Sequence, residues 1–245
     1  MDVKNIYLND EDYAVRVKVR KQLLWFGIAS LIMMFAGLTS AYIVSRSDVL
    51  WVSINPPVQF FYSTGIIVTS SLTMLLAVKM ARKGNKLYTL LQVFTLVLGL
   101  MFCYTQFQGW GKMKELGMFF TLNKVSFVEK NAVYGEDYHL VYKGINLVKD
   151  GENYYSEFDQ EKKFPLNDKI SSESKDAGST YFILLTGLHV LHVIVGILSL
   201  FISTLKGFLG RYPANRTLGL ELSAYFWHFV DILWILLFGF LLFIR

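Results

Sequence analysis

Five long apolar runs constrain this chain more than any other feature: Leu23 to Val44, Phe60 to Val78, Leu87 to Gln106, Tyr181 to Phe201 and Ala224 to Ile244. A helix rises about 1.5 Å per residue, so each run spans the roughly 30 Å hydrocarbon core of a bilayer, allowing for tilt. The expected fold class is therefore an all-α membrane protein, a five-transmembrane-helix bundle. A composition of 53% hydrophobic residues over 245 positions agrees with that class and sets aside the one or two soluble domains that length alone would suggest.

The excess of five positive charges has a placement that argues against nucleic acid. Arg16, Lys18, Arg20 and Lys21 precede the first run; Lys79, Arg82, Lys83 and Lys86 fill the second connection; Lys206, Arg211 and Arg216 fill the fourth. The positive-inside rule puts these three segments in the cytoplasm, and with them the N-terminus, leaving the C-terminus outside. Cys103 is the single cysteine, which leaves no disulfide framework and no thiolate metal cluster. Acidic residues in the first twelve positions and the length of the first apolar run predict an uncleaved chain.

Three segments follow. Residues 1–110 hold a cytoplasmic N-terminus and transmembrane helices 1–3, residues 111–178 an outward-facing insertion, and residues 179–245 transmembrane helices 4–5. In the first helix Gly27, Ser30, Gly37 and Ser40 would let a neighbour approach closely. Ser45 to Gln59 is expected as a short connection, with Pro56-Pro57 stiffening the start of the second helix. The hydroxyls of Thr69, Ser70, Ser71 and Thr73 can bond within that helix or across to a neighbour. Gln106 and Trp110 are expected to close the third helix at the interface, with Gly111 to Thr121 continuing as an amphipathic interfacial segment. From about Leu122 to Gly178 the chain turns polar, with charges of both signs and no run able to cross a membrane. Tyr138 to Tyr142 and Ile145 to Val148 are expected as strands, with turns at Lys143-Gly144 and Asp150-Gly151, giving a small β-rich cap. His139 falls there alone and is expected at the surface.

The last two runs carry ionisable residues well inside them. His189 and His192 are three apart, so they project from nearly one face, and His228 and Asp231 repeat that spacing on the fifth helix, where the two can pair directly. Entering from outside at Tyr181, His192 lies about 16 Å down; entering from inside at Ala224, Asp231 lies about 10 Å up. Similar depths permit one polar cluster joining the two helices. An ionisable group in hydrocarbon needs a partner or a wet niche. Three readings stay open: a structural or lipid-holding cluster, a haem or metal site, or a proton or ion pathway.

Tyr181-Phe-Ile-Leu-Leu-Thr-Gly187-Leu-His189-Val-Leu-His192-Val-Ile-Val-Gly196, then Glu221, then Tyr225-Phe-Trp227-His228-Phe-Val-Asp231-Ile-Leu-Trp234, resembles the signature of the cytochrome c oxidase subunit III family. Phe35-Ala36-Gly37 with Ala41-Tyr42, Ser70-Ser71-Leu-Thr73, and Thr95-Leu-Val-Leu-Gly99 with Gln106 and Trp110 extend the likeness to about three quarters of the chain, and five helices resemble the short bacterial form. The resemblance implies a non-catalytic subunit of a haem-copper oxidase in a bacterial cytoplasmic membrane. Haem and copper would belong to the catalytic subunit I, and this chain would support assembly, hold phospholipid in a cleft and aid proton uptake. It implies a polar cleft formed by His189, His192, Glu221, His228 and Asp231, with Ser70, Ser71, Gln106, Trp110, Gly187, Gly196, Trp227 and Trp234 in packing or interfacial positions, and neither catalytic nor metal-ligating residues.

Two features depart from the family. Leu31 follows Ser30 where the family often has glutamate, so no function resting on that carboxylate is implied, and the insertion is longer than usual. Facing outward, residues 122–178 would meet a cytochrome c domain or a larger respiratory assembly, or merely cap the helices. Other readings are the equivalent subunit of a quinol oxidase or nitric oxide reductase, an independent transporter, and a haem-carrying electron-transfer protein.

Overall fold

A computed structural model describes residues 10–48, 50–119, 125–159, 161–167, 170, 177–210, 212 and 217–244, without the side chains of 10–14, 48, 126 and 127. Helices α1 (Asp10–Asp48), α2 (Val58–Arg82), α3 (Leu87–Glu115), α5 (Ala177–Phe208) and α6 (Leu218–Phe243) are long and apolar enough to cross a membrane. The chain is thus mostly helical, a multi-pass membrane protein with a small sheet at one end. A short helix α4 (Val125–Asn131) and strands β1 (Leu50–Ile54), β2 (Tyr138–Tyr142), β3 (Ile145–Asp150) and β4 (Asn153–Ser156) complete it.

Helices α2, α3, α5 and α6 pack together through apolar contact and side-chain hydrogen bonds. Gln106 donates to Ser63 at 2.9 Å and Thr73 meets Thr95 at 2.8 Å, tying α3 to α2. Gln92 donates to Ser203 at 3.1 Å, and Trp110 donates through Nε1 to Thr186 at 3.1 Å, tying α3 to α5. Ser199 and Ser223, 2.8 Å apart, join α5 to α6. In hydrocarbon each such bond contributes about 0.6–2 kcal/mol, a modest amount because helices not yet packed together also find partners for their polar groups.

Helix α1 stands at the margin: 11% of its most apolar window is buried, against 44% for α5. Its 39 residues extend about 58 Å, so the basic stretch Arg16 to Lys21 continues the helix beyond the apolar run. Phe35 and Tyr42 face inward. The expected close approach at its small residues is absent among the described residues. A Cβ at Gly27 or Gly37 would meet nothing within 4 Å, and Ser30 and Ser40 are exposed.

The cap departs most from expectation. The connection after α1 is itself a strand: β1 pairs antiparallel with β2, running Leu50 opposite Tyr142 to Ile54 opposite Tyr138, and opens a four-stranded sheet ordered β1-β2-β3-β4. A tight turn joins β2 to β3 through Lys143 and Gly144, with φ of 51° and 77°, the left-handed pair that a two-residue hairpin requires. Trp51 is fully buried against Tyr42 and Tyr181, with ring centroids 4.9 and 5.8 Å away. Gly178, at the start of α5, lies against the Val52 carbonyl, leaving no room for a Cβ. Sheet and bundle are therefore locked through β1.

Two further expectations are corrected. Helix α3 runs on past Gln106 and Trp110 to Glu115, so residues 111–115 extend a membrane helix, and Met113 and Met118 are fully buried. That geometry replaces an amphipathic segment lying in the interface; residues 120–124 lie outside the described ones. His139 is half-buried on β2, its ring edge-on to Tyr134 at 5.8 Å.

Candidate functional site

Helix α6 organises the polar interior, presenting Trp227, His228, Asp231 and Trp234 at spacings that turn them toward different neighbours. Trp227 is fully buried and touches three helices. A Cβ on Gly99 of α3 would lie 2.6 Å from its ring, and one on Gly196 of α5 would lie 3.1 Å away. Its indole Nε1 donates to Ser70 of α2 at 3.1 Å. An indole holds so central a place only where its N–H finds a partner and its faces find flat neighbours. Glycines on both sides and a serine at the edge meet those needs.

Two turns further along, Trp234 repeats the arrangement. Its Nε1 donates to Thr64 of α2 at 3.0 Å, and its ring packs on Phe102 at 5.3 Å, Phe238 at 5.6 Å and the imidazole of His189 at 5.0 Å. His189 is entirely buried in this aromatic setting, and neither ring nitrogen has a hydrogen-bond partner among the described residues.

His192 turns the other way, toward α1. Its Nδ1 donates to the Leu188 carbonyl at 2.6 Å, and its ring stands edge-on to Phe35 at 5.9 Å. His228 faces α2, where its Nδ1 meets the Ser71 hydroxyl at 2.6 Å while Nε2 is buried without a partner among the described residues. Asp231 is 1% exposed; it interacts with the Ser71 side chain, yet among the described residues neither carboxylate oxygen has a hydrogen bond of normal geometry.

Glu221 sits at the start of α6, at the end of the bundle opposite the sheet. It accepts from Arg82 of α2 at 3.1 Å and from Thr217 at 3.0 Å. A carboxylate in the first turn suits the positive end of the helix dipole.

The expected single cluster between the fourth and fifth membrane helices is thus dispersed over three interfaces. His228 and Asp231 do not hydrogen-bond to each other, because Ser71 on α2 takes the imidazole. Among the described residues no three His, Cys, Asp or Glu side chains form a metal-ligand group. Gly187 differs from Gly196: a Cβ there would meet nothing within 4 Å. Sequence reasoning missed the tight contacts of Gly109 with Phe60, where a Cβ would lie 2.8 Å from the ring, and of Gly178 with β1. Each depends on a facing residue far away in sequence.

Residues 162–244, which carry α5 and α6 with all five ionisable positions, match the family described as Cytochrome c oxidase subunit III. This stretch carries the likeness to the cytochrome c oxidase subunit III family. The chain is similar to Cytochrome c oxidase subunit 3 of Glycine max, 37% identical over 114 residues that cover 45% of this chain and 37% of that one. It is also similar to the protein of the same name in Arabidopsis thaliana, 36% identical over 110 residues, with coverage of 45% and 37%. In Marchantia polymorpha the identity is 44% over 61 residues, 25% of this chain and 23% of the relative. The chain spans a little over a third of the length of the first two relatives. The interlocked Trp227, the His189–Trp234 contact and the Ser71–His228 bond all use the matched segment, whereas β2, β3 and β4 precede it.

Proposed function

We propose that this chain is the non-catalytic third subunit of a haem-copper cytochrome c oxidase, a complex in which the catalytic subunit I holds the haem and copper. Its work is architectural: it packs beside subunit I and other oxidase subunits, retains phospholipid, and supports proton uptake during aerobic respiration. Trp227 carries this reading, because one family-segment side chain keys α2, α3 and α5 onto α6 through Gly99, Gly196 and Ser70. The ionisable residues of α5 and α6 lie on separate interfaces, an arrangement that suits helix fixing better than shared ligation of one cofactor.

The chain lies as a five-helix bundle in a bacterial cytoplasmic membrane, N-terminus in the cytoplasm and C-terminus in the periplasm. Basic residues support that orientation: Arg16 to Lys21, Lys79 to Lys86 and Lys206 all fall at the end away from the sheet. The cap then faces outward, toward a cytochrome c domain or a neighbouring respiratory complex.

His228→Ala tests the architectural role. It should reduce recovery of the assembled complex or its retained lipid while the haem spectrum of the remaining complex keeps its shape. A changed haem spectrum with normal assembly would assign His228 to the redox chemistry instead.

A further inference from the structure

Strands β2 and β3 part soon after their hairpin turn. Their register holds for two pairs, Val141 with Asn146 and Tyr142 with Ile145, and then stops, while β3 goes on to pair with β4 over four residues. Tyr134 spans the opening. Its hydroxyl donates to the Leu147 carbonyl of β3 at 2.5 Å and accepts from the Leu140 N–H of β2 at 3.4 Å, so a side chain joins the strands where their own ladder has ended. Beside it lies a cleft of about 500 Å³, within the range that small-molecule sites occupy.

Side-chain alternation decides which residues face that cleft. Ser53 of β1 stands directly opposite His139 of β2, and the ladder runs on to Asn55, whose N–H donates to the Asp137 carbonyl at 2.9 Å. Asn146 is opposite Val141, two residues from His139, and Val148 is the next residue of β3 on the same side. Ser53, Asn55, His139, Asn146 and Val148 therefore share one face, and all five line the cleft. Ser53 is 5% exposed, and neither its hydroxyl nor the His139 imidazole makes a hydrogen bond among the described residues. Buried polar groups are as a rule paired, so the partner of this hydroxyl comes from whatever fills the cleft.

The lining chemistry narrows the choice of occupant. Among the described residues no carboxylate, ammonium or guanidinium lines the cleft, so a charged ligand would meet no counter-charge. Hydroxyl, imidazole and carboxamide groups each offer both donor and acceptor capacity. Asn146 gives an N–H to Glu157 at 3.1 Å and keeps its Oδ1 as an acceptor. A ligand rich in hydroxyls matches such a set, because each hydroxyl also donates and accepts. Val148, 45% exposed, offers an apolar wall to the C–H face of a sugar ring.

We propose that the cleft between β2 and β3 binds a neutral saccharide, its hydroxyls held by Ser53, His139, Asn55 and Asn146 and its ring carbons lying against Val148. The inference goes beyond the proposed role in an oxidase. Every residue it uses precedes the matched segment 162–244, so loss of sugar binding and loss of a haem-bearing partner are separate outcomes.

The test is saturation-transfer nuclear magnetic resonance on the intact protein in nanodiscs, free of glycoside detergents, with cellobiose, maltose and N,N′-diacetylchitobiose as probes. At least one disaccharide should give a saturable signal with wild-type protein, and Ser53→Ala and Asn146→Leu should each weaken its binding by about tenfold. Asn146 is exposed, so its change tests the cleft without disturbing the core, and an unchanged thermal unfolding midpoint identifies variants that remain folded. Absence of a saturable signal from all three probes overturns the proposal, as does binding that folded Asn146→Leu protein leaves unchanged. Binding of zinc chloride that His139→Phe abolishes, with no disaccharide signal, would likewise overturn it by giving the cleft to a cation.

Discussion

The ring of Trp227 lies so close to Gly99 that a Cβ there would meet its Cη2 at 2.6 Å. Helices α3 and α6 can approach this closely only because position 99 has no side chain. Gly99→Ala should destabilise the bundle by about 1–3 kcal/mol, the usual range for overpacking a filled interior. Thermal unfolding in detergent measures it. The double variant with Trp227→Phe should show positive coupling in a double-mutant cycle, since a smaller ring relieves the clash.

Ser70 gives a second handle on the same indole. With Ser70→Ala the Trp227 N–H, donating at 3.1 Å in the native protein, is left buried and unpaired. The expected loss is about 1–2 kcal/mol, smaller than a full desolvation penalty because membrane proteins can repair such bonds locally. Ser70→Thr keeps the hydroxyl and should lie nearer to wild type in the same unfolding assay.

The joint between sheet and bundle is tested at Gly178. An added methyl at this position runs into the Val52 carbonyl, so Gly178→Ala should pry β1 from α5 while leaving the membrane helices in place. Faster proteolysis within residues 125–167, with far-ultraviolet helicity preserved, is the expected outcome. Trp51 emission should shift to the red as water reaches an indole that is fully buried in the native protein.

Alkaline pH should loosen the cap before it affects the membrane helices. Burial pushes the Tyr138 phenol up to about 12, with Tyr154, Glu129 and Tyr134 as lesser influences. Tyr154 is also raised, first by burial and then by its hydrogen bond to Glu129 at 2.8 Å. An unfolded tyrosine ionises near pH 10. A phenol whose folded value is higher gives stability that is complete below about pH 10 and declines as pH rises toward 12. Near-ultraviolet dichroism of the intact protein should follow that decline, and Tyr154→Phe should shallow it.

Membrane helices were legible because each apolar run is long enough to leave no other solution, and the β2–β3 hairpin because Lys143-Gly144 interrupts two short strand-forming runs. Strand β1 was not. Leu50 to Ile54 follows an apolar helix directly, and its partner, Tyr138 to Tyr142, lies more than eighty positions away. The end of α3 was misplaced because Gln106 and Trp110 look like interfacial residues, although their polar groups bond to Ser63 and Thr186 inside the bundle. At the site, spacing along one helix put His228 and Asp231 on a shared face but said nothing of what α2 would offer. The Ser71 hydroxyl takes His228, and the expected pair does not form. In the same way Gly99 and Gly196 are unremarkable until the Trp227 ring is placed between them.

Copurification tests the central claim most directly. The full-length chain, tagged and extracted in mild detergent, should bring with it a haem-bearing subunit whose Soret band disappears from the tagged fraction when harsher detergent separates the two. Recovery of the chain with no haem-bearing partner, or a Soret band that stays with the separated chain, would contradict the account.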